Sequence, residues 1–230
     1  MIITDPLLKP SDRYCMILSE QLAKEGFTLK NKKFKRLFEH GKQVIDLSFI
    51  STLGVIHGVE FYYHIIFDNA EKIFKKLFGK HWTNWTVHDQ VGNMFKYLYD
   101  ENTNTYTDKT LNEAAIPFFR DIYPKVVSLT SRFKTYEQLN LEYNQLPSQS
   151  INIVPSNRFE RRILMGLLLT RQFEPHKYEE RKKEYLQSFE LFDPFQREQQ
   201  RQDIYDGVKI LDSIDLNAAI KRIAASEAGH

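Results

Sequence analysis

Cysteine is almost absent from this sequence. Cys15 is the one cysteine among 230 residues, so an intramolecular disulfide cannot form and a zinc site built on several thiols is excluded. Cys15 lies between Tyr14 and Met16 in an amphipathic stretch, which predicts a buried structural thiol. The lack of disulfide chemistry favours a reducing compartment, and we expect a cytoplasmic protein.

Long apolar runs are also missing. No segment approaches the roughly 20 apolar residues that cross a bilayer, so the sequence predicts no association with membranes. The first six residues, MIITDP, carry an early acid and a proline where a secretory signal would have a basic start and an apolar run. Both observations agree with the cytoplasmic expectation.

Motifs for catalysis and cofactor binding are lacking as well. The nine glycines form no GxGxxG, no GxxxxGK[ST] and no GxSxG pattern, and the seven histidines form no HExxH and no HxH. Nucleotide-dependent chemistry and α/β-hydrolase chemistry are therefore not indicated. The sequence predicts no catalytic residue, no metal site and no cofactor.

Charge of one sign is not in large excess. The 32 basic and 30 acidic residues give a net charge of +2, which is too small to indicate nucleic-acid binding by itself. Hydrophobic residues at 42% and charged residues at 27% are typical of a globular protein. Aromatic residues are abundant at 13%, so we expect a core rich in rings.

The most informative pattern present is a change of hydrophobic periodicity within residues 11–67, from that of a helix to that of strands. An amphipathic helix begins at Ser11 and ends at Gly26, a residue suited to a left-handed helix end. Three runs with strand periodicity follow, over 32–39, 43–50 and 59–67. Their short connections, including a loop around Gly54 and Gly58, predict an antiparallel meander that the first helix covers.

Further helices are predicted along the rest of the chain. Asn69 should cap a helix that closes at Gly79, and Thr135 with Gln138 forms a capping box. The sequence also predicts a fourth strand over 92–99, a helix from Asp108 that Pro117 should kink or break, and helices over 176–192, 194–211 and 214–225.

The predicted fold class is α+β. We expect an antiparallel sheet of about four strands covered by helices, followed by an all-helical C-terminal portion. The turn-forming stretch at residues 147–150 predicts the boundary. It separates an α+β domain over 1–147 from a helical extension over 151–230.

A basic stretch over residues 30–42 is the first candidate surface, with Lys32, Lys33, Lys35 and Arg36 at its centre. Interleaved phenylalanines would suit single-stranded nucleic acid. An acidic protein surface would suit the same charges. Lysines also protect edge strands from unwanted pairing, so a solvated edge strand explains the pattern without any partner.

The segment 81–88 is the second candidate surface, because Trp82 and Trp85 lie in a stretch without helix or strand periodicity. Two indoles on a loop would form a good contact site, whereas two indoles at the end of a core would stabilise the fold. Histidines offer a third possibility, an enzyme whose site is assembled in three dimensions around His64, His81 and His88.

One pattern in the sequence resembles a known family. It consists of Leu22, Gly26-Phe27, Phe34 and Arg36, then hydrophobic strands, Ala115-Ile116-Pro117-Phe118-Phe119, and Tyr136 with Leu139. Over residues 12–145 this pattern resembles the uncharacterised bacterial domain-of-unknown-function family numbered 4304. The resemblance implies an immunity-like protein that binds a toxin, and it supplies no catalytic residue.

The sequence therefore predicts a non-enzymatic protein-binding module, with an immunity-type inhibitor of a bacterial toxin as its concrete form. Its candidate partner surface comprises Lys32, Lys33, Lys35, Arg36, Trp82 and Trp85. Inhibitors of nuclease toxins are usually acidic, so a chain with a basic strand should meet an acidic or apolar toxin surface instead. The enzyme built on histidines and the nucleic-acid binder remain the two alternatives.

Overall fold

The chain forms two compact units, each made of two chain segments. A computed structural model describes residues 8–53, 55–79, 85–94, 106–145, 159–192 and 198–227. The first unit comprises 1–65 and 88–131, and the second comprises 66–87 and 132–230. The predicted domain boundary between residues 147 and 151 lies outside the described residues and stays a prediction.

An antiparallel sheet of five strands carries the first unit, and the strands follow one another in chain order. They are β1 (Thr28–Lys30), β2 (Lys33–Phe38), β3 (Gly41–Thr52), β4 (Val55–Phe67) and β5 (Val87–Met94). The helices are α1 (Pro10–Leu22), α2 (Asp68–Phe78), α3 (Asp108–Pro117), α4 (Tyr123–Arg132), α5 (Tyr136–Asn144), α6 (Phe159–Phe173), α7 (Tyr178–Phe192), α8 (Glu198–Ser213) and α9 (Leu216–Glu227). The predicted α+β class is confirmed.

Apolar side chains at every second position of β4 form part of the core of the first unit. Val59, Phe61, Tyr63 and Ile65 are fully buried, as their period of two predicts. The Phe61 ring lies 5.0 Å from the Phe118 ring, and the Tyr63 hydroxyl lies 2.6 Å from that of Thr130. This face of the sheet is therefore covered by the chain that follows α3.

The first helix is part of the same core, as predicted. Tyr14, Leu18 and Leu22 are fully buried, and the Tyr14 ring packs edge-on against Phe49 of β3 at 6.2 Å. Cys15 is buried beside them as a free thiol, and burial raises its pKa to about 12. The helix exit is also as expected, because Gly26 adopts a left-handed φ of 80°.

Several details of the sheet differ from the prediction. Gly58 lies inside β4 rather than in a loop, and β5 begins at Val87 rather than at residue 92. The basic strand β2 is not the edge, because β1 pairs with it through Leu29 opposite Phe34. A strand of three residues is too short to show a period, which explains why β1 was missed.

Proline and capping residues place the next helices. The kink or break predicted at Pro117 is found as the end of α3, after which a π-helical turn over Phe118–Ile122 connects it to α4. The capping box predicted at Thr135 is confirmed by two reciprocal contacts of 3.3 Å with Gln138. The cap predicted at Asn69 is wrong, because α2 begins one residue earlier, at Asp68, with no side-chain cap.

Helix α6 is the centre of the second unit. Every residue from Glu160 to Thr170 is buried, so neighbouring chain surrounds the helix on all sides. A methyl group placed on Gly166 would lie 2.2 Å from the Tyr185 hydroxyl, so α7 approaches α6 at a glycine. Within the parts of the chain that the structure describes, no helix is both long and apolar enough to cross a membrane.

Candidate functional site

Two of the three histidines named from the sequence meet on the sheet of the first unit. His64 lies on β4 and His88 on β5, and their Nδ1 atoms are 2.7 Å apart. The ring centroids are 4.6 Å apart with an angle of 16° between the planes. The two Nδ1 atoms are much closer together than the two ring centres. The nearly parallel rings therefore lie edge to edge, with their Nδ1 atoms facing each other.

A hydrogen bond between two Nδ1 atoms requires complementary tautomers. One imidazole carries its proton on Nδ1 and donates, whereas the other accepts there and carries its proton on Nε2. Burial lowers the pKa of His64 to about 3, and His88 and Lys33 act in the same direction. Burial also lowers the pKa of His88, although Asp46 opposes this. Both rings are therefore neutral at pH 7.

Polar side chains surround this pair. The Tyr62 ring lies nearly parallel to that of His88 at 5.6 Å, and its hydroxyl donates to Glu60 at 2.9 Å. On β2 and β3, Lys33 and Asp46 form an ion pair of 2.5 Å. The arrangement can hold and pass a proton, which is the chemistry of a general base.

Access and ligand number restrict what the pair can do. His64 is 1% exposed, so no substrate reaches its ring in this arrangement. Among the described residues, no three side chains of histidine, cysteine, aspartate or glutamate are grouped to hold a metal ion. The third histidine of the predicted site, His81, lies outside the described residues.

Three of the four cations at the centre of the basic stretch are engaged within the protein. Lys33 pairs with Asp46, and Lys32 donates to the Ser11 hydroxyl at 2.7 Å and lies 3.4 Å from the Asp12 carboxylate. Arg36 donates to the Gln43 side chain at 2.8 Å. These contacts join β2 to β3, and they join the turn before β2 to the first helix.

Arg36 also explains part of the pattern behind the family resemblance. Its guanidinium donates to the Glu25 carbonyl at 2.9 Å and lies 4.5 Å from the centre of the Phe27 ring. A methyl group on Gly26 would lie 3.5 Å from the Arg36 side chain. Gly26, Phe27 and Arg36 therefore form one joint between the end of α1 and β2, which is a structural role.

A second part of the basic stretch is the lysine–leucine patch, which we define as the exposed Lys35 and Leu37 together with the half-buried Lys42. Leu37 is 81% exposed, and Lys35 is exposed on the same face of β2. The register of β2 and β3 places Lys42 directly opposite Leu37. A large apolar side chain is thus exposed next to two lysines, Lys35 along its own strand and Lys42 across the strand pair.

The tryptophan segment is described only in part. Trp82 lies outside the described residues, and Trp85 is half-buried with its carbonyl accepting from Arg161 at 3.1 Å. The last two residues of the predicted irregular segment, Val87 and His88, belong to β5. The role of the two indoles as a contact surface stays a prediction.

A buried polar network in the second unit was not predicted. Glu71 of α2 and Arg161 of α6 form an ion pair of 2.5 Å, and the Thr86 hydroxyl donates to Glu71 at 2.7 Å. The guanidinium also lies 4.5 Å from the centre of the Phe74 ring. Burial raises the pKa of Glu71, and Arg161 and Thr86 offset part of that rise. These contacts are typical of a structural network, and among the described residues only the Nε atom of Arg161 in this network is buried without a hydrogen-bond partner.

Comparison with known proteins adds no relative to these observations. No protein-family model, no curated protein and no solved structure matches this chain. The resemblance to family 4304 stays a prediction.

Proposed function

We propose that this chain is a non-enzymatic protein-binding module whose contact surface is the lysine–leucine patch. The observation that carries the proposal is the exposure of Leu37, at 81%, in a strand paired with β3. An apolar side chain held in solvent by regular structure loses little conformational entropy when a partner covers it. A leucine in this position supports a docking role.

The charges of the patch define the partner. Lys35 lies two residues before Leu37 on β2 and Lys42 lies opposite Leu37 on β3, so a partner that covers the leucine meets one lysine on each strand. Carboxylates at the rim of an apolar contact would complement them and would speed association. The partner that fits is a protein surface that presents an apolar pocket with acidic residues around it.

The concrete form of the proposal is an immunity-type inhibitor of a bacterial toxin domain, acting in the cytoplasm. The resemblance to family 4304 and the basic character of the patch both support this choice. A toxin whose active site is acidic or apolar fits the patch better than a nuclease with a basic site. The single cysteine, Cys15, agrees with a reducing compartment.

An enzyme with acid–base chemistry at His64 and His88 is the second candidate. Two histidines with lowered pKa values that converge in space are typical of functional sites. The 1% exposure of His64 makes this candidate weaker, because a general base must reach its substrate. Nucleic-acid binding has less support, since Lys32, Lys33 and Arg36 already contact other groups of the protein.

The test uses the protein encoded by the neighbouring gene as the partner, measured by isothermal titration calorimetry. Leu37→Asp should weaken binding by at least about 2 kcal/mol, the loss typical of a central contact residue. Lys35→Glu should slow association and should reduce its dependence on salt.

Two exposed residues outside the patch supply matched controls. Leu53 is 99% exposed at the opposite end of β3, and Lys24 is exposed after α1. Leu53→Asp and Lys24→Glu should leave affinity unchanged. Equal losses for Leu37→Asp and Leu53→Asp, or no binding of the neighbouring product by the wild-type chain, would count against the proposal.

A further inference from the structure

The hydrogen bond between His64 and His88 can persist only while the pair carries a limited number of protons. In the neutral pair, one Nδ1–H group faces one nitrogen lone pair. A first additional proton enters at an Nε2 atom and leaves that hydrogen bond intact. A second additional proton places an N–H group on both Nδ1 atoms, which face each other at 2.7 Å with no acceptor between them. The rings must then separate.

We propose that the His64–His88 pair is an acid-operated latch between β4 and β5. The latch stays closed while the pair carries at most one positive charge, and it opens when both imidazoles are protonated. The two rings belong to neighbouring strands of one sheet, so their separation loosens the side-chain packing of this face.

The charged groups near the pair determine which ring is protonated first. Asp46 of β3 favours the charged form of His88, whereas Lys33 of β2 opposes a charge on His64. His64 is also 1% exposed, so a charge there would lose its hydration. The first proton therefore goes to His88, and the second, on His64, opens the latch.

Other ionisable groups on these strands leave that order unchanged. Glu60 and Tyr62 of β4 are hydrogen-bonded to each other, and the Tyr62 ring lies against His88. Asp89 follows His88 on β5 and lies on the opposite face of the sheet because neighbouring strand residues alternate.

The direction of the pH effect follows from burial. The folded-state pKa of His64 is lowered to about 3, below its value in the unfolded chain. A group of this kind stabilises the fold fully at pH values above its unfolded pKa, and the stabilisation is lost as the pH falls below it. The latch is therefore closed at neutral pH and responds to acid.

Nuclear magnetic resonance of the imidazole nitrogens tests the closed state. At pH 7.5, long-range ¹H–¹⁵N spectra of the full chain should show opposite tautomers for His64 and His88. On acidification, the backbone amides of β4 and β5 next to the pair should shift together in one step. That step should follow protonation of His64.

The variant His88→Asn tests the latch itself. Its side-chain amide can take the place of the Nδ1–H group without titrating, so the step in the amide signals should disappear. The unfolding equilibrium constant of the variant should also rise less steeply with acid than that of the wild type, by up to about tenfold per pH unit. His176→Asn, at an exposed histidine of the second unit, is the matched control and should behave as wild type.

Two results would overturn the latch. One is the same tautomer on both histidines of the wild-type chain, which is incompatible with their hydrogen bond. The other is an amide step of unchanged midpoint in His88→Asn. If this variant does not fold, the tautomers of the wild-type chain still decide the matter.

Discussion

Glu71 and Arg161 form an ion pair that is almost completely removed from solvent, with side-chain exposures of 10% and 2%. Loss of one partner would leave the other charge buried without its counterion, which typically costs about 3–5 kcal/mol. We therefore expect Arg161→Met to lower the free energy of unfolding by about that amount in urea titrations. The double variant Glu71→Leu/Arg161→Met should recover most of the loss.

An exposed pair provides the control for this prediction. Lys209 and Asp206 lie on α8 with side-chain exposures of 75% and 53%. Lys209→Met should leave the urea midpoint where it is, because solvent screens such pairs. An equal shift of the midpoint for Arg161→Met and Lys209→Met would show that the buried pair contributes no more than a surface pair.

At the scale of single residues, the sequence identified residues of the site but did not predict which of them are in contact. His64 and His88 were both candidates, yet their contact depends on the register of β4 and β5, which strand periodicity does not fix. Glu71 and Arg161 were not candidates, because charged residues on helices are usually exposed. Their burial depends on packing between residues 90 positions apart.

Helix α5 shows how a local signal places a whole element. The Thr135 hydroxyl accepts a hydrogen bond from the backbone N–H of Gln138, and the side-chain oxygen of Gln138 accepts one from the backbone N–H of Thr135. Both distances are 3.3 Å. Thr135→Ala removes the cap and should lower the free energy of unfolding by about 1 kcal/mol. Thermal unfolding of the variant measures the loss.

A conservative change at the same position provides the control. Thr135→Ser keeps a hydroxyl within reach of the Gln138 amide, so its melting temperature should stay close to that of the wild type. If serine and alanine gave the same melting temperature, the capping contact would not stabilise α5.

At the scale of elements, signals that act over a few residues gave correct predictions. The Thr135 cap, the Gly26 helix end and the break at Pro117 each depend on one turn of chain. The apolar face of β4 was also read correctly, since its alternation extends over nine residues. β1 was missed because three residues show no period.

At the scale of the whole molecule, the two compact units alternate along the chain. A cut at the predicted boundary gives fragments 1–147 and 151–230 and separates α2 from α6, both of which belong to the second unit. Arg161 would lose Glu71 and the ring of Phe74, which is fully buried. We expect fragment 151–230 alone not to unfold cooperatively when heated, as followed by circular dichroism, because α6 then lacks its partners on α2.

Mixing the two fragments should restore a cooperative transition, because the missing partners of α6 are then supplied in trans. The full-length chain, measured under the same conditions, is the reference. The prediction fails if fragment 151–230 alone unfolds cooperatively at the melting temperature of the full-length chain. That result would support a helical domain that begins at residue 151.

Because the two units alternate along the chain, helices that pack together in the second unit are synthesised at different times. Helix α2 leaves the ribosome about 90 residues before Arg161, the partner that Glu71 requires. At about 5–20 residues per second this interval is roughly 5–20 s, far longer than the microsecond in which a helix forms. During that time the apolar side of α2, with Ile73 and Phe74, has not met α6. We therefore expect the nascent chain to expose this side of α2 to other proteins until α6 emerges.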